Sequence, residues 1–288
     1  MLFSCTAALS RLPLSVLYGF ADWLIYPIMY YVIRYRRRLV RKNLSNSFPD
    51  KSEKERKAIE RAFYHQFCDT IVETIYGYRC NKVQMREHVG FKNMDEVNRL
   101  TQQAGGCIFM LAHLGNWEWL AEVQQSLDPD ILEVNVYRQL KNEKMDKLML
   151  DIRSKRGGVC VEKRRVLREM VRYRAEKKKA AVALICDQKP RPEVTRTWVD
   201  FLHQDTGFLD GGEVLGTKFG YPVYYAYIRK LKRGCYEAEL HLLAADPKQC
   251  AEGEITTAYA HALEQNILEQ PELWLWTHNR WKWKRMNG

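Results

Sequence analysis

Residues 12–33 form an almost unbroken run of apolar and aromatic side chains, interrupted by Asp22, Ser15 and the small or cyclic residues Pro13, Gly19 and Pro27. These 22 residues are enough helix to cross a hydrocarbon core. Further on, Ser52 and Glu55 match a capping box, and Ile59, Phe63, Phe67, Ile71 and Ile75 recur every four residues. That spacing predicts a long helix with an apolar stripe facing a core. From there the pattern alternates. It predicts a helix over 95–103 ending at Gly105-Gly106, a strand over 107–112, a helix from Asn116 and a strand over 131–137. A helix over 143–156 follows, stopped by Gly157-Gly158, then a helix over 163–179 and a buried strand over 180–186. Two strands, 221–228 and 236–243, are joined by a turn containing Arg233-Gly234, and helical spacing returns over 255–268. Such alternation predicts an α/β fold, a sheet flanked by helices. No internal repeat and no linker rich in Pro, Gly or Ser divides it. The expected organisation is therefore a membrane helix and basic segment over 1–42, then one α/β domain over 43–288.

Charge changes this picture mainly at the anchor. Arg34, Arg36, Arg37, Arg38, Arg41 and Lys42 put six cations in nine residues directly after the apolar run, and the positive-inside tendency places them in the cytoplasm. Because the charge follows the apolar run and no small-residue cleavage site is present, a cleaved signal peptide fits poorly. Asp22, Tyr26, Tyr30 and Tyr31 leave open a tilted helix lying in the membrane interface. The net charge of +11 and pI near 9.2 favour an anionic partner. Nine cations against Glu169 and Glu176 over 163–179 read as a solvated helix face, or else as a docking surface for such a partner. The C-terminal stretch from Trp274 to Arg285 interleaves indoles with cations, which beside an anchor suggests the membrane interface. No nucleic-acid-binding signature accompanies it. The eight cysteines form no Cys-x-x-Cys pair, so neither a metal site nor a disulfide framework is expected, and reduced thiols in a cytoplasmic domain are.

The candidate chemistry lies in Leu111-Ala112-His113-Leu114-Gly115-Asn116-Trp117-Glu118, where a buried strand gives way to a helix. Hydrophobic periodicity demands no histidine there. Residues five apart on one helix point about 140° away from each other, so His113 and Glu118 can meet only if the chain turns between them, and Gly115 supplies a turn. The pair suits deprotonation of a hydroxyl, with His113 as base and Glu118 orienting the other ring nitrogen. A plainer reading has His113 capping the strand and Glu118 favouring a helix N-terminus.

Several blocks together resemble the bacterial lipid A late acyltransferases, the lauroyl and myristoyl transferases of lipopolysaccharide biosynthesis. His113-Leu114-Gly115-Asn116-Trp117-Glu118 looks like the family's His-x4-Glu motif, and Arg41-Lys42-Asn43-Leu44 with Phe48-Pro49 is similar to its segment beyond the anchor. Val136-Tyr137-Arg138, Asp187-Gln188 and Pro271 to His278 with Arg280-Trp281-Lys282 resemble later blocks. The resemblance implies a glycerolipid-acyltransferase-like sheet behind a membrane helix. It also implies acyl transfer from an acyl carrier protein to a hydroxyl of a lipid A precursor, with no cofactor or metal, at the cytoplasmic side of a bacterial inner membrane. By the same resemblance His113 and Glu118 are catalytic, Arg138 binds phosphate or the developing oxyanion, Asp187 orients a basic residue or the glycolipid, and Arg280 contacts a headgroup. The chain departs from the family at 201–213, which begins Phe201-Leu202-His203-Gln204, and at Asn279, where an arginine is usual. A lysophospholipid or aminolipid acceptor, or a non-catalytic lipid-binding role, are the alternatives.

Overall fold

The computed structural model describes residues 2–155 and 157–285, with side chains from residue 6 onward. Cys5, one of the eight cysteines, and Arg156, the last residue of the helix expected over 143–156, lie outside those described side chains. Seven strands form the main sheet: β1 (Val89–Lys92), β2 (Gly106–Leu111), β3 (Ile131–Tyr137), β4 (Val159–Glu162), β5 (Lys179–Ile185), β8 (Val223–Lys232) and β9 (Cys235–Ala244). Two more, β6 (Thr197–Phe201) and β7 (Gln204–Phe208), make a separate antiparallel hairpin. The sheet order is β1-β9-β8-β2-β5-β3-β4. From β8 through β2, β5 and β3 to β4 every neighbour is parallel, and only β8 and β9 run antiparallel. All six residues of β2 are buried, as expected of a central parallel strand covered on both faces. Helices Met94–Ala104 and Gly211–Phe219 both pack on β2, and Val166–Ala175 packs on β4 and β5.

The expected strands at 131–137, 221–228 and 236–243 are present, as are the helices beginning near residues 95, 143 and 255. Short elements escape the periodicity: β1 and β4 have four residues each, and the β6–β7 hairpin turns through Leu202 and His203, both at positive φ. The basic stretch 163–179 is helical only over Val166–Ala175, and its lysines at 177–179 lead into β5. Glu169 is ringed by Arg165, Arg168 and Arg172, which makes this an ion-paired surface.

Helix Glu53–Gly77 begins with the expected capping box, Glu55 N–H donating to Ser52 Oγ at 3.3 Å and Ser52 N–H donating to Glu55 Oε2 at 2.7 Å. Its buried face differs from the apolar stripe. A four-residue interval drifts about 40° per step around a 3.6-residue helix, so Ile71 ends up exposed while Gln66, Asp69, Thr70 and Glu73 are buried. Glu73 accepts from Tyr18 Oη at 2.7 Å, Asn116 Nδ2 at 3.0 Å and Tyr236 Oη at 2.9 Å. Asp69 takes the Arg233 guanidinium, whose other side holds Asp22 in two 2.8 Å bonds.

Asp22, in the middle of the apolar N-terminal segment, is thus turned toward the body of the protein. Leu17, Ala21, Tyr26 and Tyr30 of that segment are buried, and Val16, Phe20, Trp23, Leu24, Val32 and Ile33 are exposed, Trp23 at 86%. Among the described residues no single helix is long and apolar enough to cross a membrane. Leu14–Val32 and Arg37–Ser47 meet that length and composition only as a pair, bent by 83°.

Because Glu73 satisfies three donors drawn from three separate chain segments, Glu73→Ala is expected to lower the unfolding free energy by about 3 kcal/mol or more. Denaturant unfolding followed by far-UV circular dichroism checks this; a loss under about 1 kcal/mol contradicts it.

Candidate active site

The adjacent parallel strands β2 and β5 are in register through Leu111 and Ile185. Two residues past each partner stand His113 and Asp187, at the carboxyl edge where open α/β sheets bind ligands. The register therefore brings them together. Asp187 Oδ1 lies 2.7 Å from His113 Nδ1, and Asp187 Oδ2 accepts from the His113 backbone N–H and from Trp274 Nε1, each at 3.0 Å. The connection after β2 is held by backbone bonds to the C-terminal segment: Gly115 N–H to Leu273 O at 3.0 Å and Leu275 N–H to His113 O at 3.1 Å. Gly115 turns with φ +53°, and a Cβ there would stand 3.0 Å from the Tyr236 ring.

This corrects the expected partner of the imidazole. Beyond Gly115 the chain enters the 3-10 helix Trp117–Gln125, and Glu118 in its first turn turns to Arg153. Arg153 Nε and Nη2 each donate to Glu118 at 2.7 Å, and Trp117 Nε1 adds a bond of 3.1 Å. The orienting carboxylate is thus Asp187, and Glu118 acts on His113 through its charge. Asp187 is buried, and the His113 side chain keeps 14% exposure. The Gln188 amide lies 3.4 Å from His113 Nε2, and the Trp117 ring stands edge-on to the imidazole at 5.0 Å.

Burial works against ionising both groups, and their mutual attraction overcomes it. The Asp187 carboxyl is held down at about 2 despite burial, by the charge and hydrogen bonds of His113 with Trp274. Burial lowers the His113 pKa, but Asp187, and more distantly Glu118, raise it above the ordinary imidazole value. His113 is therefore a base of increased strength, with Nε2 free of any carboxylate among the described residues.

The other expected site residues are placed differently. Arg138 is exposed just past β3, two strands from β2 and so roughly 10 Å sideways at the usual strand spacing. Lys163 N–H bonds the neighbouring Tyr137 carbonyl, so Arg138 and Lys163 share the far end of the carboxyl edge. Arg280 does not face outward: it is 3% exposed, donates to the Gly207 carbonyl and sits 4.6 Å from the Phe208 ring centre, with Nε unpartnered. Burial lowers its pKa to about 10, and the Asp187 charge opposes that. Trp274 and Trp276, expected at a membrane interface, are core residues. Arg153 carried no sequence signal as a site residue, and Gln188 and Trp274 lay within the resembling blocks without a role of their own, because their roles arise from long-range packing. Among the described residues no His, Cys, Asp and Glu cluster could hold a metal ion.

A histidine oriented by a buried carboxylate at the carboxyl edge of a parallel sheet has the geometry that general-base chemistry of the transferase or hydrolase kind requires. The family model described as bacterial lipid A biosynthesis acyltransferase matches residues 4–283, and the chain belongs to that family. It is an acyltransferase by that membership. No curated protein matches the sequence.

Asp187→Asn removes the charge that raises the His113 pKa and leaves the burial that lowers it. The His113 titration, followed by NMR of labelled imidazole, should sit above 6.5 in the parent protein and move down in the variant. An unmoved or rising value contradicts the pairing.

Proposed function

We propose that the chain transfers a fatty acyl group from an acyl carrier protein thioester to a hydroxyl of a lipid A precursor, at the cytoplasmic face of a bacterial inner membrane. The observation that carries this reading is a carboxylate-held His113, its Nε2 met by the Gln188 amide and by no carboxylate among the described residues, in a chain of the lipid A acyltransferase family. Nε2 takes the proton of the acceptor hydroxyl as its oxygen attacks the thioester carbonyl. The tetrahedral intermediate collapses, the carbon–sulfur bond breaks, and the departing thiolate recovers that proton from the imidazolium. An ester and a free thiol result, so the histidine ends as it began. Asp187 fixes the ring and stabilises the imidazolium, and Glu118, clamped by Arg153, adds negative potential to the same end. Arg138 meets an anionic part of a substrate at the far end of the edge.

The N-terminal segment supports placement at a membrane. Its inner face is packed on helix Glu53–Gly77, so its exposed apolar residues have only solvent or lipid to meet. The basic balance of the chain suits an acidic carrier protein, and acyl coenzyme A is anionic as well, so the carrier as donor rests on the family resemblance and not on charge.

In a strain lacking the chain, mass spectrometry should find lipid A species short of one acyl group. Wild type restores them, whereas His113→Ala accumulates normally and transfers about 10²- to 10⁴-fold more slowly. Unchanged lipid A with another lipid losing a chain rejects the acceptor, and full complementation by His113→Ala rejects the mechanism. Trp23→Glu with Val32→Glu should release the protein from sedimenting vesicles while its far-UV spectrum stays the same; continued sedimentation counts against the membrane face.

A further inference from the structure

The six cations after the apolar segment do more than mark its end. Arg34, Arg36, Arg37, Arg38 and Arg41 line an open cleft of about 610 Å³, a size typical of small-molecule sites, roughly 300–1,000 Å³. The one carboxylate that pairs with them among the described residues, buried Glu60, is shared by Arg37 at 3.1 Å and Arg41 at 2.8 Å. Arg34, Arg36 and Arg38 have no acidic partner among the described residues. Arg34 bonds the Tyr31 carbonyl, Arg36 bonds the Thr277 carbonyl at 2.9 Å, and both stand at φ 53°. The helix Arg37–Ser47 that starts here has no acid in its first turn and no side-chain cap, so its positive end adds to the cationic field.

This concentration of like charge reaches toward the reacting histidine. Arg36 holds Thr277, and the next residue, His278, has Nε2 3.5 Å from the Lys189 N–H, two positions past Asp187. Lys189 Nζ bonds the Asn279 carbonyl at 3.2 Å. Burial and the neighbouring charges of Lys282, Arg36 and Arg280 hold the Lys189 pKa below that of an ordinary lysine. A protein surface gathers mutually repelling cations around a concavity at a cost that an incoming anion relieves. Guanidinium groups set in a cleft, rather than spread over a convex face, suit a compact anion that accepts several paired hydrogen bonds.

We propose that this arginine cleft binds a phosphate group on the headgroup of the acyl acceptor, and so selects a phosphorylated glycolipid and sets its depth relative to His113. The proposal rests on the acyl-transfer reading above and adds the site that recognises the acceptor. The exposed apolar residues of 16–33 directly precede these arginines in the chain, so the acyl chains and the phosphate of one lipid can be met together.

Arg34→Gln with Arg38→Gln is the informative variant, because neither side chain holds Glu60 or Thr277. Acyl transfer is measured in micelles of a neutral detergent, with the acceptor in phosphorylated and enzymatically dephosphorylated forms. For the phosphorylated acceptor the variant should raise KM about 10- to 100-fold with kcat within twofold, and it should leave KM for the dephosphorylated form unchanged. An equal shift for both acceptors, or no shift for either, overturns the proposal. Binding of glucosamine 1-phosphate and of inorganic phosphate to the wild-type protein, by calorimetry without any donor, judges the cleft apart from catalysis. The sugar phosphate should bind more tightly than inorganic phosphate and lose affinity in the variant and in high salt. Equal binding of the two, or sugar-phosphate binding that the variant retains, also overturns it. If wild type transfers to neither acceptor yet binds the sugar phosphate through these arginines, the acyl-transfer reading fails and the cleft stands.

Discussion

The arrangement depends on the contact between His113 and Asp187, and that contact is a consequence of strand register. Two parallel strands held side by side at Leu111 and Ile185 must present the residues two further along as neighbours. Because both strands are buried on both faces, neither can slip by a residue without exchanging its inward and outward sets. A stiff core thus fixes a short polar contact at its edge. The imidazole is aimed by the same packing that stabilises the fold, and Trp274 ties the C-terminal segment to the same carboxylate.

A second set of buried polar groups attaches the N-terminal segment to this core. Glu73 gathers Tyr18 from that segment, Asn116 from the histidine turn and Tyr236 from β9. Asp69 and Arg233 hold Asp22 nearby. Burying a carboxylate is costly unless its oxygens are fully used, and Glu73 meets that requirement with groups from three places that have to be correctly docked. The result is a continuous polar path from the N-terminal segment to the histidine turn. If that segment's apolar face seats at a membrane, as proposed, the same path sets the height of His113 above it.

Much of this was legible in the sequence where a single element carries the signal. The capping box at Ser52, the apolar run of β2, the glycine stop at Gly105 and the junction histidine are all local, and each has its expected structure. The family blocks located Asp187 but not its partner, since spacing along the chain says nothing about which strand lies beside which. Glu118 was misassigned for the same reason: it is near His113 in sequence, and its bonds go instead to Arg153 on a helix that follows β3. The arginines after residue 33 were readable as charge, but their concavity depends on an 83° bend and on Glu60 drawing two of them inward. Arg280 and Trp274 looked like surface by composition and are interior because the hairpin β6–β7 packs against them, whereas Trp283 stays exposed.

The most direct test is a double-mutant cycle on kcat/KM for acyl transfer, with His113→Ala, Asp187→Ala and both together. If Asp187 acts only through the imidazole, the double variant is no slower than His113→Ala alone, because residues that work as a unit are strongly non-additive. If the two losses multiply, Asp187 has a role independent of His113 and the proposed base is not the one the sheet has built.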